Sequence, residues 1–259
     1  MPDGAKRLKN KVCVVTGAAS AVAEAVADRL TSEGATVVGV DQRQHGVGPH
    51  SRTADLTDED QVRELFASVK NDLGRIDVLY NNAGLNDREG HSALDMPLPV
   101  WERVLAANLT KTFLCCKHAI PHLLNNDPPS GSVINTASFL AVMGAASSQM
   151  AYSVAKAGIL QLSRDLGVHL GRRGVRVNAL VLGPIETPSC GRSSRTSATM
   201  RSPGASCIIR WAASARWRSL PARWRTSPAM TPASSPAQPF HWTAASRQLY
   251  GSVLSDGRR

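Results

Sequence analysis

Tyr152 and Lys156 are the two residues of the sequence whose spacing suggests chemistry most directly. They are four positions apart in a segment predicted to be helical, so their side chains lie on one helix face. A phenol titrates near pH ~10 in water and is a poor acid or base at neutral pH unless a nearby cation stabilises its phenolate. Lys156 can supply that cation, which favours proton transfer by Tyr152. A Tyr-x-x-x-Lys spacing alone is common, and a pair on a solvated helix face is the ordinary alternative.

A glycine-containing turn follows the first apolar run of the chain. Residues 12–16 (VCVVT) predict a strand, residues 20–33 predict a helix, and TGAASAVA joins them. Backbone N–H groups in such a turn, with the positive end of the helix, can hold the pyrophosphate of a dinucleotide. Only one glycine is present, so an ordinary helix start is an equal alternative. The positions expected to contact the cofactor are Gly17, Ser20, Ala21 and Val22.

Asp41 ends the second predicted strand, TVVGVD at 36–41. A carboxylate there can accept hydrogen bonds from ribose hydroxyls and repels a 2′-phosphate, which favours NAD over NADP. A turn aspartate is the alternative, and Arg43 could weaken the discrimination. Asp55, after the next short strand, could reach an adenine ring or cap a turn.

The order of the predicted elements indicates the fold class. Strands alternate with helices along the chain, and 259 residues suit one α/β domain. The sequence therefore predicts a Rossmann-like, doubly wound parallel sheet whose C-terminal part is disrupted. The further strands are predicted at 76–81, 131–137 and 175–182, and the further helices after Thr57, at 99–124 and at 149–171.

Taken in order, these residues resemble the short-chain dehydrogenase/reductase family. The resemblance spans nearly all of the first 188 residues and implies an NAD(P)-binding oxidoreductase that reversibly reduces a carbonyl group. The matching motifs are TGAASAVA, Asp41, Asp55-Leu56, Asn81-Asn82-Ala83-Gly84, Asn108 in AANLT, Ser138 in INTAS, Tyr152 to Lys156, and LGPIETP at 182–188.

The resemblance also implies a role for each matching residue. Ser138 would hydrogen-bond the substrate oxygen, and Tyr152 would donate or remove its proton. Lys156 would lower the pKa of Tyr152 and hold the nicotinamide ribose, while Asn108 would position a water in the proton relay. Hydride would pass between nicotinamide C4 and the substrate carbon. The other implied cofactor contacts are Asp55, Leu56, Asn82, Ala83, Gly84, Pro184, Ile185 and Thr187.

Two departures from the family pattern bear on the site. The family turn has three glycines, whereas this chain has Gly17, Ala21 and Ala23, and the added methyl groups are expected to cost ~1–3 kcal/mol of cofactor binding. Ser138 and Tyr152 are one residue further apart than the family pattern expects, which predicts a small loop extension. Ser147 or Ser148 is the alternative to Ser138.

The composition changes after residue 188. The segment 189–259 holds eleven arginines, no lysine, one acidic residue and four of the five tryptophans, whereas the first 188 residues have no net charge. We therefore predict a Rossmann-fold dinucleotide-binding and catalytic domain at 1–188 and an irregular Arg/Ser/Pro/Trp-rich tail at 189–259.

The tail has a second reading in another reading frame. If Ser206 to Phe240 is back-translated with freely chosen codons and read two bases later, it can yield a long amphipathic segment that continues into PLDGGI. We interpret the tail as out of frame, which sequencing of the coding DNA tests.

The remaining composition narrows the function classes. No run of 18 apolar residues and no signal peptide is present, which favours a cytoplasmic enzyme without membrane partners. The five cysteines form no C-x-x-C pair, so no metal or disulfide framework is expected. The neutral body argues against a nucleic-acid-binding module, which only the arginine and tryptophan content of the tail suggests.

The leading hypothesis is an oxidoreductase that links NAD(H) to a small secondary alcohol or ketone. A cofactor-binding protein without turnover is the alternative, because the phosphate-binding turn is altered and the tail is scrambled. The resemblance implies a homo-oligomer, a tetramer or dimer, packed through the helices at 99–124 and 149–171. The sequence does not identify the substrate.

Overall fold

A computed structural model describes residues 6–43, 50–82, 84–85, 91–145 and 149–183. The predicted tail, 189–259, lies outside the described residues. The strands are β1 (Val12–Thr16), β2 (Thr36–Asp41), β3 (Arg52–Thr53), β4 (Val78–Asn81), β5 (Gly131–Ser138) and β6 (Val175–Leu182). The helices are α1 (Ala21–Ser32), α2 (Glu59–Leu73), α3 (Leu98–Leu105), α4 (Lys111–Leu124) and α5 (Met150–Leu170), with a π-helical turn at Ala106–Thr110.

The six strands form one parallel sheet in the order β3-β2-β1-β4-β5-β6. This finding confirms the Rossmann-like, doubly wound sheet expected from the alternation of strands and helices. The strand order reverses between β1 and β4, and α/β proteins bind ligands in the crevice at the carboxyl ends of the strands there.

The helix predicted at 99–124 is divided in the structure. A π turn at Ala106–Thr110 separates α3 from α4, and it contains Asn108. Such a turn adds a residue to the helical repeat without changing the apolar pattern enough to be visible in the sequence. In the described part of the chain, no helix is both long and apolar enough to cross a membrane.

Apolar side chains pack on both faces of the sheet. On one face, α2 and α4 cover the central strands, with Phe66 and Leu123 fully buried against them. On the other face, α1 packs through Ala23, Ala27 and Leu30. Strands covered on both faces are almost entirely apolar, which explains the uniform burial of β1.

A buried carboxylate holds neighbouring segments together at the amino-terminal ends of the strands. Asp77, only 4% exposed, accepts hydrogen bonds from the Val12 N–H (3.0 Å), from Arg75 (2.6 and 2.7 Å) and from Lys11 Nζ (2.9 Å). Burial opposes the ionisation of Asp77, but the bonds from Arg75, Val12 and Lys11 outweigh it and lower its pKa. The carboxylate therefore joins β1 to the segment that enters β4.

We expect Asp77→Ala to lower the free energy of unfolding by about 3 kcal/mol, because two cations and a backbone N–H lose their shared acceptor. Urea unfolding monitored by circular dichroism measures the change. Asp60→Ala is the matched control, since the Asp60 side chain is 75% exposed and pairs with Arg63 in the same helix. Its expected cost is below about 0.5 kcal/mol, and equal losses in both variants would contradict this account.

Candidate active site

The turn between β1 and α1 lies at the carboxyl edge of the sheet. Gly17 has a φ of 67°, the left-handed conformation that favours glycine. The Ser20 hydroxyl caps α1 by accepting from the Ala23 N–H (3.3 Å), and it donates to the Gly17 carbonyl (2.9 Å). Asn82, which follows β4, donates from Nδ2 to Ser20 Oγ (2.8 Å) and from its backbone N–H to Thr16 Oγ1 (3.1 Å). The two turns are therefore joined.

Ala21 and Ala23 occupy the positions where the family resemblance predicts glycine. Ala23 is completely buried in the apolar cluster between α1 and the sheet, whereas Ala21 is exposed at the first position of α1. Val22, the next position, is half-buried. The fold thus accommodates the methyl group of Ala23, whereas the methyl group of Ala21 is exposed at the turn where the sequence predicts a pyrophosphate.

Two carboxylates follow β2 and β3 at the same edge. Asp41 accepts hydrogen bonds from the backbone N–H groups of Ala19 (3.1 Å) and Arg43 (3.3 Å), so it lies against the glycine turn. Asp55 Oδ1 accepts from the Thr57 N–H (2.9 Å), the Thr57 hydroxyl (2.7 Å) and Gln42 Nε2 (2.9 Å). The bonds from Thr57 and Gln42 lower the pKa of Asp55 despite its burial.

The structure therefore shows Asp55 as a turn cap, one of the two roles left open by the sequence. Leu56, which follows it, is buried in the core against α2. A contact between Asp55 or Leu56 and an adenine ring would have to involve atoms other than Asp55 Oδ1, which already accepts three hydrogen bonds.

Lys156 is a buried cation on α5. The residue is 3% exposed, and its Nζ donates to the backbone carbonyl of Thr136 on β5 (2.9 Å). Burial, reinforced by the neighbouring charge of Lys111, lowers the pKa of Lys156 to about 8. The same Nζ lies 5.4 Å from the centroid of the Tyr152 ring. The i, i+4 spacing in the sequence therefore does place these two side chains together.

Ser138 and Tyr152 also come together, although they lie on different elements. Ser138 is the last residue of β5 and is buried, and its hydroxyl accepts from the Leu140 N–H (3.3 Å). Burial raises the pKa of Tyr152, and the neighbouring Ser138 side chain opposes that rise. Ser147 and Ser148, the alternative partners, lie outside the described residues.

Asn108 is fully buried within the π turn. Its Nδ2 donates to the carbonyls of Val104 (2.8 Å) and Leu85 (2.6 Å), and its Oδ1 accepts from the Leu85 N–H (3.3 Å). The side chain therefore holds the segment after β4 in place. A methyl group on Gly84 would lie 2.8 Å from Asn108 Oδ1 and 3.4 Å from Lys156 Nζ. Glycine thus permits this segment to approach the buried cation.

Three buried polar residues connect the site to the core, and one of them, Ser163, lies outside the sequence motifs. Asn81 Nδ2 donates to Asn135 Oδ1 (2.9 Å), and Asn135 Nδ2 donates to Ser163 Oγ (2.9 Å). These bonds join β4, β5 and α5. Asn135 follows the apolar pair Val133 and Ile134 in a predicted strand, where a buried amide requires hydrogen-bond partners.

Four of the predicted cofactor contacts lie outside the described residues: Ala83, Pro184, Ile185 and Thr187. The remaining contacts fit a nicotinamide dinucleotide chemically. The capped amino terminus of α1 suits a pyrophosphate, Asp41 suits ribose hydroxyls, and the Lys156 ammonium can donate to a second ribose. The described residues contain no cluster of three metal-ligating side chains.

A doubly wound parallel sheet with a helix amino terminus at its switch point, and a Tyr–Lys pair beside it, defines a dinucleotide-dependent oxidoreductase of Rossmann type. A family model described as enoyl-(acyl carrier protein) reductase matches residues 17–216. The oxidoreductase YxbG of Bacillus subtilis is 37% identical over 194 residues, 70% of this chain and 69% of the relative.

Two further proteins support the same assignment. The cis-4-hydroxycyclohexanecarboxylate dehydrogenase of Sinomonas cyclohexanicum is 36% identical over 189 residues, 69% of this chain and 74% of the relative. The crystal structure of a short-chain dehydrogenase from Mycobacterium smegmatis superposes with a TM-score of 0.64 at 32% identity, covering 71% of this chain and 81% of that one. The chain belongs to the short-chain dehydrogenase/reductase family, whose members use NAD or NADP.

We expect Gly84→Ala to destabilise the protein by about 1–3 kcal/mol, because its Cβ meets an amide that three hydrogen bonds prevent from moving. Gly144→Ala is the control, since no atom of the described residues lies within 4 Å of a Cβ added there. Urea unfolding of both variants is the measurement. A Gly84→Ala variant as stable as the control would show that the segment at 84–85 is not held against Asn108.

Proposed function

We propose that this chain transfers a hydride between NAD(H) and a secondary alcohol or ketone, with Tyr152 as the general acid and base. The observation that carries the proposal is the convergence of three side chains from two elements. Tyr152 lies close enough to Ser138, at the end of β5, for the Ser138 side chain to affect its pKa, and the Lys156 ammonium lies 5.4 Å from the Tyr152 ring centroid. When bound, the nicotinamide supplies or accepts the hydride at the substrate carbon.

In the reductive direction, the Tyr152 hydroxyl gives its proton to the substrate oxygen while the Ser138 hydroxyl donates a hydrogen bond to the same oxygen. Burial raises the pKa of Tyr152, so the phenol holds its proton at neutral pH, and its donation depends on stabilisation of the phenolate that forms. The transfer leaves a phenolate. In the oxidative direction, that phenolate removes the proton of the alcohol.

Lys156 stabilises the phenolate electrostatically. With a pKa of about 8, its ammonium is mostly protonated at neutral pH. The site is largely desolvated, so a cation near the ring acts on the phenolate more strongly than it would in water. The hydrogen bond to the Thr136 carbonyl holds the ammonium in place while the proton moves.

NAD rather than NADP is the proposed cofactor because Asp41 ends β2 beside the glycine turn. Its carboxylate lies where the adenosine ribose of a dinucleotide is expected, and a 2′-phosphate there meets a like charge. Secondary alcohols are the first substrates to screen, since one relative is named for a hydroxycyclohexanecarboxylate.

The proposed assembly is a homo-oligomer packed through α4 and α5. Large apolar side chains are exposed on both helices, at Phe113 of α4 and at Val154 and Val168 of α5, which suits a subunit interface better than solvent.

The proposed location is the cytosol, where the buried free thiols of Cys13, Cys115 and Cys116 would remain reduced.

We expect Tyr152→Phe to lower kcat about a hundredfold to ten-thousandfold while the affinity for NAD changes less than about threefold, because only the proton-transferring hydroxyl is lost. NADH absorbance during oxidation of secondary alcohols and calorimetric titration of NAD are the two measurements. Tyr80→Phe removes a buried hydroxyl on β4 that has no hydrogen-bond partner in the described structure, and it should retain activity.

Two outcomes would count against the proposal. Turnover by Tyr152→Phe at the wild-type rate would remove Tyr152 from the mechanism. NAD binding by the wild-type chain without oxidation of any secondary alcohol in the panel would favour a cofactor-binding protein without turnover.

A further inference from the structure

Lys111 is a half-buried cation that no sequence motif accounted for. It is the first residue of α4 and directly follows the π turn that carries Asn108. Four and seven positions later on the same helix face come Cys115 and His118. Cys115 is buried in the core cluster that α2 shares, and His118 Nε2 lies 3.0 Å from Glu59 in the first turn of α2. This face of α4 is therefore turned toward α2.

The orientation of α4 directs Lys111 toward the carboxyl edge of the sheet. Side chains on a helix tilt toward its amino terminus, so Lys111 extends beyond the level of Cys115 and away from the base of the sheet. The chain enters α2 from Asp55, whose carboxylate is bonded to Gln42, the neighbour of Asp41. Lys111 thus lies on the side of the site where the two carboxylates are.

The charges around Lys111 agree with this placement. Burial lowers the pKa of Lys111, whereas Cys115, Asp41 and Asp55 act in the opposite direction. The ammonium is also close enough to Lys156 to contribute to the lowered pKa of that residue. Among the described residues, no hydrogen bond or ion pair holds Lys111. A partly desolvated ammonium without a direct partner is unfavourable, and an anionic ligand would relieve it.

We propose that Lys111 is a specificity-determining residue of the cofactor site, whose ammonium offsets the carboxylate of Asp41 and thereby reduces the discrimination against a 2′-phosphate on the adenosine ribose. This inference rests on the proposed function, because it requires the adenosine half of the dinucleotide to lie beside Asp41. Asp41 sets the preference for NAD, and Lys111 limits how strong that preference is.

The test is a comparison of binding constants in Lys111→Met, which keeps an unbranched side chain only one atom shorter and removes its charge. Calorimetric titration of NAD and NADP gives the ratio of their Kd values. A unit charge several ångströms from a phosphate in a partly desolvated site changes its binding by on the order of tenfold. We expect the Kd for NADP to rise about tenfold in Lys111→Met, while the Kd for NAD changes less than about threefold.

Three further measurements separate this effect from a general one. AMP and its 2′-phosphorylated form contain only the adenosine half of the dinucleotides. In Lys111→Met, the Kd of the 2′-phosphorylated form should therefore rise as that of NADP does, while the Kd of AMP changes as little as that of NAD. Lys111→Arg retains the charge and should keep the wild-type ratio. Lys117→Met removes the same charge from an exposed position of α4, where Lys117 pairs with Glu59, and should also keep the ratio.

An unchanged ratio in Lys111→Met, or the same change in Lys117→Met, would overturn the inference and leave the proposed function intact. Equal losses of NAD and NADP affinity in Lys111→Met would overturn it as well, because Lys111 would then support the site without distinguishing the 2′ substituent. A wild-type chain that binds neither dinucleotide would instead overturn the proposed function, on which the inference depends.

Discussion

The burial of the Lys156 ammonium is the constraint on which the rest of the site depends. A cation removed from water must be hydrogen-bonded, and Lys156 meets this requirement at the Thr136 carbonyl of β5. Its 2.9 Å bond fixes the distance between α5 and the sheet. The close approach is possible because Ala151 and Ala155, which lie on either side of Tyr152 along α5, are small and fully buried. Tyr152 is consequently held beside Ser138, so proton transfer and packing depend on the same contact.

The elements around this cation are joined by buried polar bonds as well as by apolar packing. The amides of Asn81 and Asn135 and the hydroxyl of Ser163 connect β4, β5 and α5 beneath the site. Asn108 holds the segment after β4 in place through its amide nitrogen and its amide oxygen, which both bond to the backbone of Leu85. Because a buried amide is costly to leave unpaired, each of these bonds resists a shift of one element relative to another.

Much of the fold could be predicted because it follows from local patterns. The alternation of short apolar runs with amphipathic helices predicted the parallel sheet. The helical spacing of Tyr152 and Lys156 predicted that their side chains share one helix face. The division of the helix at Asn108 was not predicted, since a π turn leaves the apolar pattern nearly unchanged. The placement of Lys111 on the same side of the site as Asp41 and Asp55 depends on the packing of α4 against α2, which lie far apart in sequence. The sequence left two roles open for Asp55, a turn cap and a contact with adenine. The hydrogen bonds from Thr57 and Gln42 that make it a turn cap become visible only in the structure.

The most direct test of this account is an NMR titration of Lys156 in the free protein, with its side-chain signal identified by loss of that signal in Lys156→Arg. A desolvated ammonium held at the Thr136 carbonyl predicts a pKa of about 8, well below the usual 10.5. A measured pKa near 10.5 would mean that the ammonium is solvated. In that case α5 would not be anchored to β5 as described, and the arrangement of Tyr152 and Ser138 would have to be explained by other contacts.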